Sequence, residues 1–296
     1  MEQNSNNKTN PLKILFLPIT ATLDFIQKYF KAIIFLLIVL LLFGVMQKEQ
    51  ISQPNLMEIS LDGAILDAKT VLEQIEEAQD ENIKGVLFVV NSPGGAVAPS
   101  VEISYAIKRL REKKPVVAYA VGTMASGSYY ASIWANKIIA NPGSTIGSIG
   151  VIFEAPNLQK LLDKIGIEPQ VVKAGKYKEV GTPFRKWSEL EKEELKKVIS
   201  NTYKMFTTDV AKARGLDLNK TSEWADAHIF TAYGAKEVGL IDAVGTQYEA
   251  KKAVEKLANV KKAVWKKPSE FEKMLKRVTS ETSSKLLSLL FGGKLF

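Results

Sequence analysis

Short apolar strands alternate with amphipathic helices along residues 56–258, and this order most constrains the fold of the chain. The run Ile83–Val90 is rich in β-branched residues, which is typical of a strand buried on both faces. Repeated strand-to-helix crossovers predict an α/β fold with a mostly parallel sheet covered by helices. The other predicted strands are Leu56–Leu66 (a bent strand or strand pair), Pro115–Val121, Lys137–Ala140, Ile149–Phe153 and Glu168–Val172. The predicted helices are Val71–Gln79, Val97–Glu112, Ser126–Ala135, Leu158–Ile165, Ser188–Ala213 and Thr231–Gly239.

The composition is that of a globular protein and limits the chemistry available to it. Apolar residues make up 46% of the 296 residues and charged residues 24%, which excludes a disordered, collagenous or polytopic membrane protein. No cysteine is present, so a disulfide framework, a thiol nucleophile and a cysteine-ligated metal are excluded. His228 is the only histidine, so a site of two or three imidazoles within one chain is excluded as well. We expect neither a metal nor a cofactor.

The net charge of +8 lies on the flanks of the chain. Residues 1–50 carry +2 and residues 259–296 carry +6, whereas residues 51–258 hold 26 charges of each sign. A nucleic-acid enzyme usually has its basic patch on the folded domain. Basic flanks beside apolar segments favour an anionic membrane surface as the partner, and no nucleic acid.

Ala32–Met46 is an uninterrupted apolar run of 15 residues. At ~1.5 Å per residue it reaches about 22 Å, and Tyr29 and Phe30 bring it close to a full span. No small-x-small cleavage site follows, so we predict an uncleaved signal anchor over 32–47 rather than a cleaved signal peptide or a buried core helix. Lysines precede the run, which predicts a cytoplasmic segment 1–31 and an exported domain over 55–258.

The basic, amphipathic tail 259–296 is open to three interpretations. It has apolar residues at helical spacings and ends LLSLLFGGKLF. It could be a membrane-surface helix, a peptide that docks in a groove of this protein or a partner, or a solvated helix with a loose end.

Three segments carry candidate chemistry. Asn91–Gly95 (NSPGG) follows a buried strand, and its glycines suit either an oxyanion turn or an ordinary turn. In Gly122–Tyr130 (GTMASGSYY), Ser126 falls where a predicted strand turns into a predicted helix. Ser126 is either the cap of that helix or an exposed nucleophile. In the second case the N–H of the following residue, Gly127, is a second oxyanion donor. Val171–Val180 holds three lysines. These lysines either form a solvated surface or include one neutral lysine that acts as a base. We expect His228 to be a surface or interface residue.

Together these segments resemble the signal peptide peptidase A family of bacteria, in its short, membrane-anchored form. The matching stretches are FVVNSPGG (88–95), GTMASGSYYAS (122–132), GSTIGSIGV (143–151), VVKAGKYKEVGTPFR (171–185), MFTTDVAKARG (205–215) and FTAYGAKEVGLIDAVG (230–245). The resemblance implies the crotonase/Clp-type ββα superhelix. One departure is Ala227–Ala232, where the family usually has an Arg/Val/aromatic-Thr-Gly pattern.

The resemblance also implies a function and roles for single residues. Ser126 corresponds to the nucleophile, Lys178 to the general base, Ser148 to the hydroxyl that orients the lysine, and Gly95 to the oxyanion turn. The chain is expected to be a homo-oligomeric serine endopeptidase that degrades cleaved signal peptides on the outer side of the bacterial inner membrane. The alternatives are a crotonase-like acyl-CoA hydratase, which needs a pair of glutamates, and a membrane-anchored scaffold without activity.

Overall fold

The structure, a computed structural model, describes residues 25–39 and 53–266. The chain divides into two units, residues 1–53 and 54–296. In the first unit a helix, α1, covers residues 25–39 and exposes apolar side chains at the five consecutive positions 34–38. Within the two described ranges, none of the helices has the length and hydropathy needed to cross a bilayer. Residues 40–47 of the predicted anchor lie outside the described residues.

The second unit is an α/β body. Its strands are β1 (Leu56–Asp62), β2 (Gly85–Ser92), β3 (Val116–Ala125), β4 (Lys137–Ala140), β5 (Thr145–Gly147), β6 (Ile229–Thr231) and β7 (Ala243–Val244). Its α-helices are α2 (Lys69–Glu77), α3 (Val97–Lys113), α4 (Gly127–Ser132), α5 (Gln159–Ile165), α6 (Glu189–Arg214), α7 (Thr221–Trp224), α8 (Ala232–Glu237) and α9 (Gln247–Leu257).

The strands form one sheet in the order β1-β2-β3-β4-β7, with every neighbouring pair parallel. β5 adds in parallel to the end of β3, and β6 pairs with β5 antiparallel. The predicted α/β class and mostly parallel sheet are therefore confirmed. Alternate residues of each strand face opposite sides: Phe88 and Ala118 enter the main core, whereas Leu87 and Val117 pack under α9.

β3 is longer than predicted and bends in the middle. Its first half pairs with β4, up to Ala120, and its second half, from Thr123, pairs with β5. A bulge separates the halves, because Val90 is opposite Ala120 but Ser92 is opposite Met124. The Asn91 side chain accepts a hydrogen bond from the Thr123 N–H at 3.1 Å in this bulge. The bend directs the end of β3, and the residue that follows it, toward β5.

Two strand predictions are wrong. Ile149–Phe153 and Glu168–Val172 are irregular, and no residue between 150 and 190 is buried. At the start of the first segment, the Ile149 carbonyl accepts from Ala227 N–H in an irregular pairing, and Ile152 is 81% exposed. The second segment is exposed throughout. A β-branched run forms a strand only where a sheet edge and a buried face are available to it.

The two ends of the body meet at the free edge of β1. Asn55 N–H donates to the Val264 carbonyl at 2.8 Å, and Lys266 N–H donates to Leu56. The Asn55 side chain donates to Lys262 at 2.9 Å and accepts from Val264 at 2.9 Å. The packed body thus continues past residue 258 to residue 266, and the segment 262–266 covers an edge that would otherwise expose unpaired backbone groups.

Replacing Asn55 tests how much this pairing contributes. Asn55→Ala removes two side-chain hydrogen bonds, so the free energy of unfolding should fall by about 1–3 kcal/mol in urea titration. Asn82→Ala is the matched control, because the exposed Asn82 side chain makes no hydrogen bond within the described ranges. Equal stability of the two variants would show that the Asn55 side-chain hydrogen bonds to residues 262 and 264 do not stabilise the body.

Candidate active site

Ser126 occupies a strained turn between β3 and α4. Its backbone angles, φ 52° and ψ −124°, are those of the first central residue of a type II′ turn, where glycine is usual. Its N–H donates to the Gly147 carbonyl at 2.8 Å, and its carbonyl accepts from Tyr130 N–H at 3.0 Å. The Ser126 side chain makes no capping bond to α4. The helix-cap interpretation is therefore wrong, and the hydroxyl is left free at the tip of the turn.

The glycine turn after β2 lies directly against this serine. A Cβ added to Gly94, whose φ is +96°, would lie 2.8 Å from the Ser126 Cβ and 2.7 Å from the Gly127 nitrogen. Ile65 fixes the turn from the other side, donating to the Gly94 carbonyl at 2.9 Å and accepting from Ala96 N–H at 2.8 Å. Only a residue without a side chain fits at position 94.

Two backbone N–H groups beside Ser126 are available to a ligand. Gly127 is the first residue of α4, so its N–H has no acceptor within the helix. Gly95 N–H donates no hydrogen bond within the part of the chain that the structure describes. A Cβ on Gly127 would come within 3.4 Å of the Gly95 nitrogen and 2.3 Å of the Ser100 hydroxyl oxygen, so the two amides lie close together.

Ser148 directly follows Gly147, the residue whose carbonyl holds the Ser126 N–H. The Gly147 carbonyl accepts from Ser126, and the next N–H, of Ser148, donates to the His228 carbonyl at 2.7 Å. Ser148 has a positive φ of 49°, and its side chain is half-buried. The His228 ring is exposed and packs only loosely on Phe230, with ring centroids 6.0 Å apart. The segment that departs from the family pattern thus supports the Ser126 turn through its backbone.

Ser126 opens into a cavity of about 100 Å³ with mainly apolar walls. Its lining comes from the glycine turn, the starts of α3 and α4, the segment after β5, and the middle of α6: Gly95, Val97, Ser100, Val101, Ser126, Gly127, Tyr130, Gly150, Val151, Ile152, Thr202, Met205 and Phe206. No carboxylate lines it, whereas the hydratase alternative requires a glutamate pair. The volume suits a single side chain and is far below the roughly 300–1,000 Å³ of pockets for drug-sized ligands.

Tyr130 is the only titratable side chain of the lining, and it is held as a neutral phenol. Its hydroxyl donates to the Asp209 carboxylate of α6, which also accepts from Tyr105 at 3.3 Å. Burial, followed by the hydrogen bond to Asp209, raises the pKa of Tyr130 above its usual range. Tyr130 therefore does not act as a base toward Ser126 at neutral pH. Phe206 packs edge-on against its ring, with centroids 5.0 Å apart.

The three lysines of residues 173–178 have different surroundings. Lys173 forms an ion pair with Glu179 at 2.6 Å, and the Lys176 ammonium lies over the Tyr177 ring, 4.8 Å from its centroid. Lys178 is exposed, and its ammonium has no side-chain or backbone partner within the described ranges. Among these lysines, Lys178 therefore has the amine that is available for a new contact.

The segment that carries Lys178 is attached to the start of α6 by ion pairs. Arg185 contacts Glu179 at 2.9 Å and forms two hydrogen bonds with Glu191, at 2.8 and 2.9 Å. Only 4% of the Glu191 side chain is exposed, and its carboxylate also accepts from Ser188 in a capping box. The bonds from Arg185, and then those from Ser188, lower the pKa of Glu191 to about 2.

The structure places three of the five site residues predicted from the sequence, Gly95, Ser126 and Gly127, on one small cavity. Ser148 does not line this cavity and is connected to Ser126 through the carbonyl of the preceding residue, Gly147. Lys178 is not among the residues that line the cavity, and the Ser126 hydroxyl has no hydrogen-bond partner within the described ranges. Sequence reasoning missed Ser128, whose buried hydroxyl donates to Ser92 at 2.6 Å and ties the two turns together. It also missed the wall provided by α6, because no local pattern shows which helix packs over a strand end.

The described residues offer no cluster of three or more His, Asp or Glu side chains that could hold a metal ion. The chemical groups of the site are a free hydroxyl, two free amides and a small apolar cavity. This combination suits nucleophilic attack on a carbonyl whose oxygen becomes negatively charged.

Comparison with known proteins agrees with this chemistry and confirms the resemblance seen in the motifs. Residues 108–261 match the model described as Peptidase family S49. A protein of Methanocaldococcus jannaschii named "Putative protease" is 44% identical over 195 residues, which are 66% of this chain and 63% of that protein. A Synechocystis protein of the same name is 36% identical, over 71% of this chain and 76% of that protein. An Enterococcus faecium protein named "Putative signal peptide peptidase" is 33% identical, over 71% and 65%.

A methyl group at Gly94 should disable the site without unfolding the body. Gly94→Ala forces the glycine turn away from Ser126 and Gly127, so labelling of Ser126 by a fluorophosphonate should slow by about 10²-fold or more. Gly63→Ala is the control, because Gly63 has a φ of +72° but open space around it. The control should lose about 1 kcal/mol of stability and keep its labelling rate. Fast labelling of Gly94→Ala would contradict this geometry.

The contact between Arg185 and Glu191 should make the free energy of unfolding depend on pH in the acidic range. The pKa of Glu191 is lowered from 4.5 to about 2 in the folded chain, so its contribution is complete above pH 4.5 and is lost as pH falls toward 2. The free-energy difference between wild type and Glu191→Gln, from denaturant unfolding, should therefore be large at pH 6 and shrink toward pH 2. Glu193 forms an exposed ion pair with Lys196 on the same helix, so the stability of Glu193→Gln should differ little from that of wild type at either pH. A pH-independent difference for Glu191→Gln would disprove the ionic role.

Proposed function

Because this chain belongs to peptidase family S49, we propose that it is a serine peptidase in which Ser126 is the nucleophile. The observation that carries the proposal is the strained Ser126 turn, which leaves the hydroxyl without a partner beside two free N–H groups. Backbone strain at a residue that local packing fully determines is typical of reactive sites. A surface turn without a function would adopt ordinary backbone angles instead.

The proposed mechanism is acyl transfer with Lys178 as the general base. The neutral Lys178 amine takes the proton of Ser126 as the Ser126 oxygen attacks the peptide carbonyl carbon. The N–H groups of Gly95 and Gly127 bind the carbonyl oxygen as it becomes negative. The Lys178 ammonium then returns its proton to the leaving amine. Water, deprotonated by the same amine, attacks the ester on Ser126, and the Lys178 ammonium returns that proton to the Ser126 oxygen as the ester bond breaks. The half-buried Ser148 hydroxyl would orient the ammonium between these steps.

We further propose that each Lys178 serves the Ser126 of a neighbouring copy. The Ser126 hydroxyl and the Lys178 amine need each other, yet both lack a partner within residues 25–39 and 53–266 of one chain, and Lys178 does not line the cavity of its own Ser126. Val171 and Val172, shortly before Lys178 in the chain, and Ile152 and Phe153, before α5, expose large apolar side chains. Exposed apolar side chains favour burial against another molecule. A homo-oligomer would cover these side chains and complete the site at the same time.

The proposed substrates are peptides with apolar side chains, such as cleaved signal peptides at a membrane. The small apolar cavity beside Ser126 would hold one such side chain. Membrane anchoring is supported by the run Ala32–Met46 and by α1, whose apolar side chains are exposed on consecutive positions and hence on every face. The lysines before this run favour a cytoplasmic N-terminus and a catalytic body on the outer side of the bacterial inner membrane.

Mixing two inactive variants tests the dyad and its arrangement together. Ser126→Ala and Lys178→Ala should each lose peptide hydrolysis by a factor of roughly 10³–10⁶, whereas Lys176→Ala should stay active. If neighbours share the site, mixing the two inactive variants should restore part of the activity, because one copy supplies Ser126 and the other Lys178. Full activity of Lys178→Ala would overturn the dyad. Inactive mixtures of properly assembled variants would place both residues in one copy.

A further inference from the structure

The segment 173–185, called the lysine loop below, keeps its shape without a hydrophobic core. None of its residues is buried. Successive turns define its backbone: Lys178 N–H donates to Gly175 at 3.2 Å, and Val180 N–H donates to Tyr177 at 3.1 Å. A segment held mainly by turns samples many conformations unless longer-range contacts fix it. For a loop that presents a base, such sampling would slow the reaction.

A continuous series of ionic contacts supplies the long-range constraint. Glu179 lies at its centre, contacting Lys173 on one side and Arg185 on the other, each six residues away along the chain. Arg185 then continues to Glu191 through two parallel hydrogen bonds. These contacts close the loop on itself and attach it to the start of α6 at Glu191. A second attachment comes from the Leu158 N–H, which donates to the Pro183 carbonyl at 2.7 Å. Glu179 is also the residue directly after Lys178, so fixing its carboxylate fixes the backbone from which the Lys178 side chain departs.

The attachment point at Glu191 is a well-determined part of the fold. The Glu191 carboxylate accepts from Ser188 N–H at 2.8 Å as well as from Arg185, and Ser188 caps α6 in return. The same helix, α6, provides the Thr202, Met205 and Phe206 wall of the Ser126 cavity. The lysine loop is therefore connected by charge-assisted hydrogen bonds to the capped start of α6 in its own chain. In the proposed assembly this α6 shapes the cavity of its own Ser126, and the loop presents Lys178 to the neighbouring copy.

We propose that Arg185 and Glu179 are positioning residues. They hold the Lys178 amine in the position and orientation needed to accept the proton of Ser126 in the neighbouring copy. This inference rests on the proposed function, since it assumes that Lys178 is the base. Neither residue contacts the reacting atoms. They act by restricting the loop, and a misplacement of about 1 Å at a proton acceptor costs on the order of 10²-fold in rate.

The test compares Glu179→Gln and Arg185→Gln in the full chain, by peptide hydrolysis. Both variants should lower kcat by roughly 10- to 100-fold with little change in KM, because the substrate cavity is unaltered. Arg185→Lys, which keeps the charge but not the paired geometry, should recover only part of kcat. A purely structural role would lower the fraction of folded, assembled protein and leave the kcat of that fraction unchanged.

Lys192→Ala is the matched control, because it breaks a surface ion pair of similar length at the start of the same helix. It should leave kcat and KM unchanged. Light scattering checks that each variant keeps the assembly of the wild type. If Arg185→Gln does not fold, Glu179→Gln, which leaves Arg185–Glu191 intact, decides. Wild-type kcat in Glu179→Gln, or a loss of activity that appears in KM and not in kcat, overturns the positioning role. Failure of the proposed function is distinct: Lys178→Ala would then remain active.

Discussion

The candidate site depends on one strained peptide turn, that of Ser126. A residue with a side chain adopts φ 52° and ψ −124° only if its surroundings leave no alternative. Here the Gly147 carbonyl holds its N–H, the glycine turn after β2 packs against its Cβ, and Ile65 holds that turn in place. The cost of the strain, on the order of 1–3 kcal/mol, is met by the packed sheet around it. The free hydroxyl and the free amides are consequences of this arrangement.

The bend of β3 explains how the sheet creates the turn. A straight strand would end beside β4, but the bulge opposite Asn91 moves the last residues of β3 onto β5. Ser126 therefore emerges between the end of β2 and the end of β5, where both neighbouring loops supply backbone groups. Parallel strands place their carboxyl ends at one edge of a sheet, and ligand sites of α/β proteins concentrate there.

The two halves of the proposed dyad are held by different forces. Ser126 is fixed by packing and backbone hydrogen bonds within a buried core, whereas Lys178 lies on a loop whose constraints are ionic and half-exposed. Ion pairs of this kind weaken with salt and are sensitive to pH, and packed cores are not. A site built this way would be rigid at the nucleophile and adjustable at the base. Assembly of neighbouring copies would add constraint where a single chain has least.

The sequence by itself determined the α/β class, the strands β1 to β4, the helices that follow them, and the residues that crowd the Ser126 turn, because strand burial, helix periodicity and glycine placement are local patterns. It predicted strands at Ile149–Phe153 and Glu168–Val172 wrongly, since β-branched residues show a preference but not whether a sheet edge is available. The structure also showed that Lys173 and Lys176 have nearby partners, Glu179 and Tyr177, whereas Lys178 has none in the described ranges. Only the tertiary structure decided that Ser126 does not cap its helix and that α6 walls the cavity. Those two facts depend on contacts between residues far apart in the chain, and a local pattern carries no information about which distant partner a side chain will meet.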